Sequence, residues 1–159
     1  MLESLKNLNG GTYTLIIASP YDRRIKIGCI GLIDFHSGIY TYTGSALKKK
    51  FALYNRISRH LSQNKRLWWH IDYLLNNSGI EVKAICASHS DLRFECIIAN
   101  DILNTLNGSP VIGFGSSDCK CISHLHFFGN IDYLKVLDMI YNLYLKFNLK
   151  PIKIIFNHQ

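Results

Sequence analysis

A chain of 159 residues, 48% hydrophobic and 12% aromatic, is long enough to bury a real core and too apolar to be disordered. Its formal charge of +7 suits a polyanionic partner, because Lys and Arg gain free energy by displacing counterions from phosphates. No segment approaches the roughly 20 apolar residues of a membrane span, and the first ten residues lack the apolar run of a signal peptide.

The expectation is one domain over residues 1–159, reduced and cytoplasmic, without a membrane partner. Cysteines 29, 86, 96, 119 and 121 form an odd set that is not spaced as a disulfide scaffold. Along the chain, Thr12 to Ala18 reads as a strand bounded by Gly10-Gly11 and Ser19-Pro20. Arg24 to Phe35 reads as the second strand of a hairpin, with Gly28 or Gly31 as a bulge. Ile39 to Thr43 is a third strand, ending on a glycine turn at Gly44. Ala46 to Ser62 is helical by period: at about 100° per residue, Leu47, Phe51, Tyr54, Ile57 and Leu61 share one arc, with Lys49, Arg56 and His60 beside it. A shorter helix is expected over Leu67 to Asn76, a strand over Ile80 to Ala87, and a helix over Asp91 to Leu106. A Gly/Ser-rich loop from Val111 to Cys121 precedes a short strand at His124 to Phe128. A long helix over Ile131 to Asn148 and an edge strand over Ile152 to Phe156 complete the chain. The class is α+β, with a small, mostly antiparallel three-stranded sheet flanked by helices and a C-terminal helical extension over 129–159.

Basic residues cluster. Lys48, Lys49, Lys50, Arg56, Arg59, Lys65 and Arg66 are seven of the chain's 18, and no Asp or Glu occurs between Ser45 and Ile71. Arg56 and His60 stand four apart, so both reach the same point on one helix side. Glu95 falls among Ile98, Ala99, Ile102 and Leu106 on the apolar side of its expected helix, where a carboxylate needs a cation, a metal or donors. A structural ion pair and a metal ligand are equal readings of it. Trp69-His70-Ile71-Asp72-Tyr73 is read as a Trp-anchored docking helix ahead of an Asp-oriented histidine. Cys119 and Cys121, with His124 and His126, offer thiolate and imidazole ligands for zinc. Their C-x-C-x-x-H spacing departs from finger patterns, which ranks a structural strand turn first.

Taken together, these residues resemble the GIY-YIG nuclease superfamily, in particular an archaeal and bacterial branch sometimes fused to endonuclease III-like repair proteins. Gly11-Thr12-Tyr13 matches the first motif and Tyr42-Thr43-Gly44 the second, each with Thr in place of Ile. The literal Gly38-Ile39-Tyr40 is set aside as a coincidence of the third strand. Arg56, His60 and Glu95 match the family's arginine, histidine and metal-binding glutamate, and the match spans Gly11 to about Phe128. The resemblance implies a metal-dependent endonuclease that hydrolyses DNA phosphodiester bonds, on duplex or branched DNA, with DNA repair as a setting. It implies Mg²⁺ or Mn²⁺ on Glu95, water activated by Tyr13 or Tyr42, charge stabilisation by Arg56, and assistance from His60. Lys48, Lys49, Lys50, Arg59, Lys65 and Arg66 are the expected DNA contacts. The alternatives are a nucleic-acid-binding module of the same fold with little or no catalysis, and a zinc-stabilised interaction domain built on Cys119, Cys121 and His124.

Overall fold

The computed structural model describes residues 1–157. After a short 3-10 segment at Leu2–Leu8, the chain runs through β1 (Gly11–Ser19), β2 (Arg23–Ile27), β3 (Gly31–Phe35), β4 (Gly38–Ala46), α1 (Ala52–Leu61) and α2 (His70–Leu75). It continues through β5 (Glu81–His89), α3 (Glu95–Asn104), β6 (Ser109–Pro110), β7 (Leu125–Gly129), α4 (Tyr133–Lys146) and β8 (Ile152–Ile155). Among the described residues no helix is long and apolar enough to cross a membrane.

The expected α+β class holds, with a sheet larger than expected. Six strands pair in the order β6-β7-β4-β1-β5-β8, all antiparallel. β1 is buried at nearly every position because it has strand neighbours on both edges and helices on both faces. The hairpin partner expected for β1 is absent from this sheet. Gly28 and Gly31 adopt φ of 46° and 93°, and the left-handed region they enter folds β2 and β3 onto each other as a separate two-stranded sheet. The true antiparallel neighbour of β1 is therefore β4.

Period-two alternation divides the sheet's side chains between two cores. Tyr13, Leu15, Ile17 and Tyr40 face α1, α2 and the small hairpin, packing with Leu53, Ile57, Ile71 and Phe114. Ile16, Ile39 and Cys86 face α3 and α4, packing with Ile98, Ile102, Val136, Ile140 and Tyr144.

All four helices start later than their periodicity suggested, α1 and α3 by the most. β4 runs on to Ala46, and Lys48 and Phe51 take left-handed φ of 72° and 61° before α1 opens at Ala52. Lys48, Lys49 and Lys50 therefore occupy a turn rather than a helix face. Likewise α3 opens at Glu95 itself, so that residue lies in the first turn, ahead of the apolar stripe.

The two motif threonines have a structural reason. On the α4 side, Thr12 pairs with Ser45 at 3.3 Å, and Thr14 bonds both Thr43 at 3.0 Å and the Tyr144 hydroxyl at 2.8 Å. An isoleucine at position 12 or 43 would bury part of this ladder without partners. Tyr144→Phe is expected to lower stability by about 1 kcal/mol, the net worth of a typical buried hydrogen bond. Thermal unfolding should show this as a decrease of roughly 2–4 °C.

Candidate active site and cysteine cluster

One rim of the sheet collects the start of β1 and the ends of β4 and β5, because Gly11 pairs with both Ala46 and His89. The chain leaves this rim from β4 toward α1 and from β5 toward α3. A cleft of about 810 Å³ opens there, lined by Tyr13, Tyr42, Lys48, Arg56, Trp69 and Glu95 among others. The sequence-derived residues Tyr13, Tyr42, Arg56 and Glu95 thus converge from four separated segments.

Tyr13 lies opposite Gly44 on the neighbouring strand. A Cβ on Gly44 would stand 2.6 Å from the Tyr13 hydroxyl, so the glycine makes room for the ring. At Gly11 a Cβ would come within 1.9 Å of the Ser88 carbonyl oxygen, which fixes the other motif glycine by backbone approach. The Tyr13 hydroxyl bonds His60 Nε2 at 2.6 Å, behind the cleft wall. His60 is 2% exposed, and its Nδ1 has no partner among the described residues. Burial pushes the His60 pKa down to about 3, so the ring is neutral at ordinary pH and can accept a hydrogen bond from the Tyr13 hydroxyl. Burial also pushes both Tyr13 and Tyr42 well up, with Arg56 opposing the shift in each. Neither phenol ionises in the free protein near neutrality.

Arg56 donates from Nη1 to the Ser45 carbonyl at 3.0 Å and rests its guanidinium on the Trp69 ring at 4.6 Å. Its guanidinium lines the cleft, where it also interacts with the Tyr13 hydroxyl. The Glu95 side chain is 20% exposed and forms an ion pair with the exposed Arg93, Nη1 to Oε1 at 3.7 Å, longer than a hydrogen bond, so the ion-pair reading has a partner on its own loop while the carboxylate still lines the cleft. Glu95 therefore faces the cleft and not the apolar core its helical position had suggested.

The expected DNA contacts divide into two groups. Lys48 lines the cleft, and Lys49 and Lys50 line an adjoining groove of about 370 Å³ beside Arg56 and Arg59. Arg66 is exposed at the surface. Arg59 and Lys65 are instead engaged inward. The Arg59 fork donates to Asp72 at 2.7 and 2.9 Å, and the Lys65 ammonium donates to the His60 carbonyl. Asp72 is fully buried and also accepts from the Trp68 and Trp69 backbone N–H groups. It is saturated and does not orient His70. His70 accepts from the Gly115 N–H at Nδ1, 2.8 Å away. Trp68 and Trp69 both line the cleft, so this stretch does more than dock a helix.

Behind the Glu95 turn lies a second constellation. Cys96, Cys119, Cys121 and His124 bring one ligand atom each within 4.8 Å of one another and could hold a metal ion. The set of three thiols and an imidazole favours zinc. Cys96 was missing from the sequence-derived set because it stands 23 residues from Cys119, outside any spacing motif. Its one signal was adjacency to Glu95. Burial, and then hydrogen bonding with Cys96 and Cys119, pushes the Cys121 thiol up. His126, buried among other residues of the far face, is not in this set. Asp91 and Asp118 also line the cleft; the sequence assigned neither a role, and Asp91, expected at the start of the third helix, lies in the loop before it.

The fold and rim site define an α+β protein whose two central strands present a tyrosine pair, backed by a buried histidine, to a charged cleft lined by Lys48, Arg56 and Arg93 and by the carboxylates of Asp91, Glu95 and Asp118. Residues 12–146 match the family described as Domain of unknown function DUF123, and the chain belongs to that family. No curated protein and no solved structure matches it significantly.

Two outcomes follow for stability. Asp72→Ala strands the Arg59 charge and two N–H groups, and urea unfolding should show a loss of about 3 kcal/mol. Burial alone would raise the Asp72 pKa, but its hydrogen bonds with Arg59, Trp69 and Trp68 hold it below 3.8. Its contribution is therefore complete above that pH and lost only below it. The His60 contribution behaves differently: its pKa falls from 6.5 unfolded to about 3 folded, so it is complete above pH 6.5 and declines as pH falls toward 3. The urea midpoint should fall between pH 7 and pH 5, and His60→Gln should flatten that fall.

Proposed function

We propose that the protein is a divalent-cation-dependent endonuclease that hydrolyses DNA phosphodiester bonds. The observation that carries this reading is the convergence of Tyr13, Tyr42, Arg56 and Glu95 on one cleft beside exposed lysines. The order of the motifs along the chain, similar to GIY-YIG nucleases, supports it.

A cation suits Glu95. The carboxylate is mostly buried, lines the cleft, and makes only a 3.7 Å ion pair with the exposed Arg93. Mg²⁺ commonly uses one or two carboxylates and completes its shell with water and substrate phosphate. Such an ion would supply polarisation of the phosphoryl oxygens and neutralisation of developing charge.

The chain's own groups would do the rest. Arg56, braced by Ser45 and Trp69, is placed to donate to a phosphate oxygen, and its planar fork matches that geometry. Tyr13 or Tyr42 is placed to act on the attacking water, with the Tyr13 hydroxyl positioned by its hydrogen bond to His60 Nε2. Trp68, 67% exposed at the cleft, offers an aromatic face to an unpaired base. Lys48, Lys49 and Lys50 would follow the backbone as screened point charges.

Nicking of supercoiled plasmid in Mg²⁺ or Mn²⁺ tests the reading. Glu95→Ala is expected to lower the rate at least about 100-fold, and Tyr13→Phe about 10²–10⁴-fold. Equal background nicking by wild type and Glu95→Ala, on duplex, branched and single-stranded DNA alike, would sink catalysis. Salt-dependent binding that persists without cleavage would instead indicate a binding module.

A further inference from the structure

The cysteine cluster sits beside the cleft, and no step of the proposed hydrolysis uses it. We propose that Cys96, Cys119, Cys121 and His124 form a closed zinc site that clamps the first turn of α3 to the 111–124 loop and to β4. Zinc binding stands independently of the endonuclease reading; its consequence for Glu95 rests on that reading.

Ligand geometry comes first. The His124 Nε2 atom lies 3.4 Å from Cys119 Sγ and 3.8 Å from Cys96 Sγ. Zn–S bonds of about 2.3 Å and Zn–N bonds of about 2.05 Å at tetrahedral angles imply an S···N edge of about 3.6 Å. The observed pair brackets that value.

The ligand histidine is already oriented. His124 is 4% exposed, and its Nδ1 lies 3.0 Å from the Thr43 carbonyl oxygen, which can only accept. The proton is thus fixed on Nδ1, and the Nε2 lone pair faces the thiols. The Thr43 N–H in turn donates to the His124 carbonyl at 3.1 Å, so the residue is tied to β4 by main chain and side chain alike. A metal-bound histidine whose other nitrogen is held by a carbonyl is the arrangement that sets tautomer and ring angle.

Four protein ligands close the shell, which assigns the ion a structural role. Of the parts it would join, the first turn of α3 and the tip of the loop are the less firmly anchored. The first turn of α3 has no side-chain cap: Phe94 occupies that position. The base of the loop is closed by Gly113 N–H to Ile122 and His124 N–H to Phe114, both at 2.8 Å. Its tip is held by a longer Cys119 N–H to Ser116 bond at 3.4 Å. Cys96 directly follows Glu95, and Cys119 directly follows Asp118, so fixing the two sulfurs fixes two carboxylates that line the cleft.

Elemental analysis of the full chain, purified under reducing conditions, is expected to give one zinc per chain. Replacement by Co²⁺ should give the visible d–d bands of a tetrahedral ion and thiolate charge-transfer absorption. Cys96→Ser and Cys119→Ser should each weaken zinc at least tenfold in chelator competition, whereas Cys29→Ser keeps it. Wild type that is folded by circular dichroism yet carries no zinc and takes up no Co²⁺ overturns the proposal. So does undiminished affinity in Cys96→Ser. If the serine variants do not fold, the wild-type cobalt spectrum decides alone. Zinc bound with no nicking supports the clamp and sinks the endonuclease reading; nicking by a zinc-free chain does the reverse.

Discussion

Tyr13 stands across from Gly44, and the missing Cβ lets its ring lie over β4 and reach His60. Much of the rim depends on that close approach. It requires β1 and β4 to keep one register, and the register is held by hydrogen bonds on the opposite face through Thr12, Ser45, Thr14 and Thr43. A slip of one residue would turn Tyr13 toward α4 and bring the threonines into the cleft. β5 supports the same strand from the other edge, where its backbone passes too close to Gly11 for any side chain. The cleft is a product of strand register before it is a product of any single residue.

Electrostatics at the site are arranged around buried neutral groups. Tyr13 and His60 share a short hydrogen bond in a place that resists charge on either. The charges stand just outside: Arg56 on Trp69, Glu95 at the turn, and the lysines of the β4–α1 turn. Arg59 could have joined them, but its fork is committed to Asp72, which in turn holds the Trp68–Trp69 backbone in place. One basic residue of the cluster thus serves to build the wall on which another is mounted.

Local pattern made much of this legible. β1, β5, β7, β8 and α4 follow alternation, β-branched composition or helical period, and each falls within a few residues of its expected place. Tyr13, Tyr42, Arg56 and Glu95 were accessible because their types and order resemble a known motif set, and they meet in space. What escaped was pairing. Nothing in the composition of Arg24 to Phe35 says that the stretch folds on itself, since that depends on two glycine φ angles. The inward commitment of Arg59 depends on a partner 13 residues away, and the contribution of Cys96 on a loop from beyond α3. The orientation of Glu95 was misjudged by helical period because α3 starts at that residue, where period does not yet fix a face.

Trp68 and Trp69 are the only two tryptophans in the chain, and both line the cleft. Trp68 is 67% exposed and Trp69 is 38% exposed beneath two guanidinium groups. No third indole elsewhere dilutes their emission. The protein therefore carries a built-in optical reporter whose whole signal originates at the rim of the sheet, and solvent quenchers, stacked bases or a displaced Arg56 would each alter that light directly.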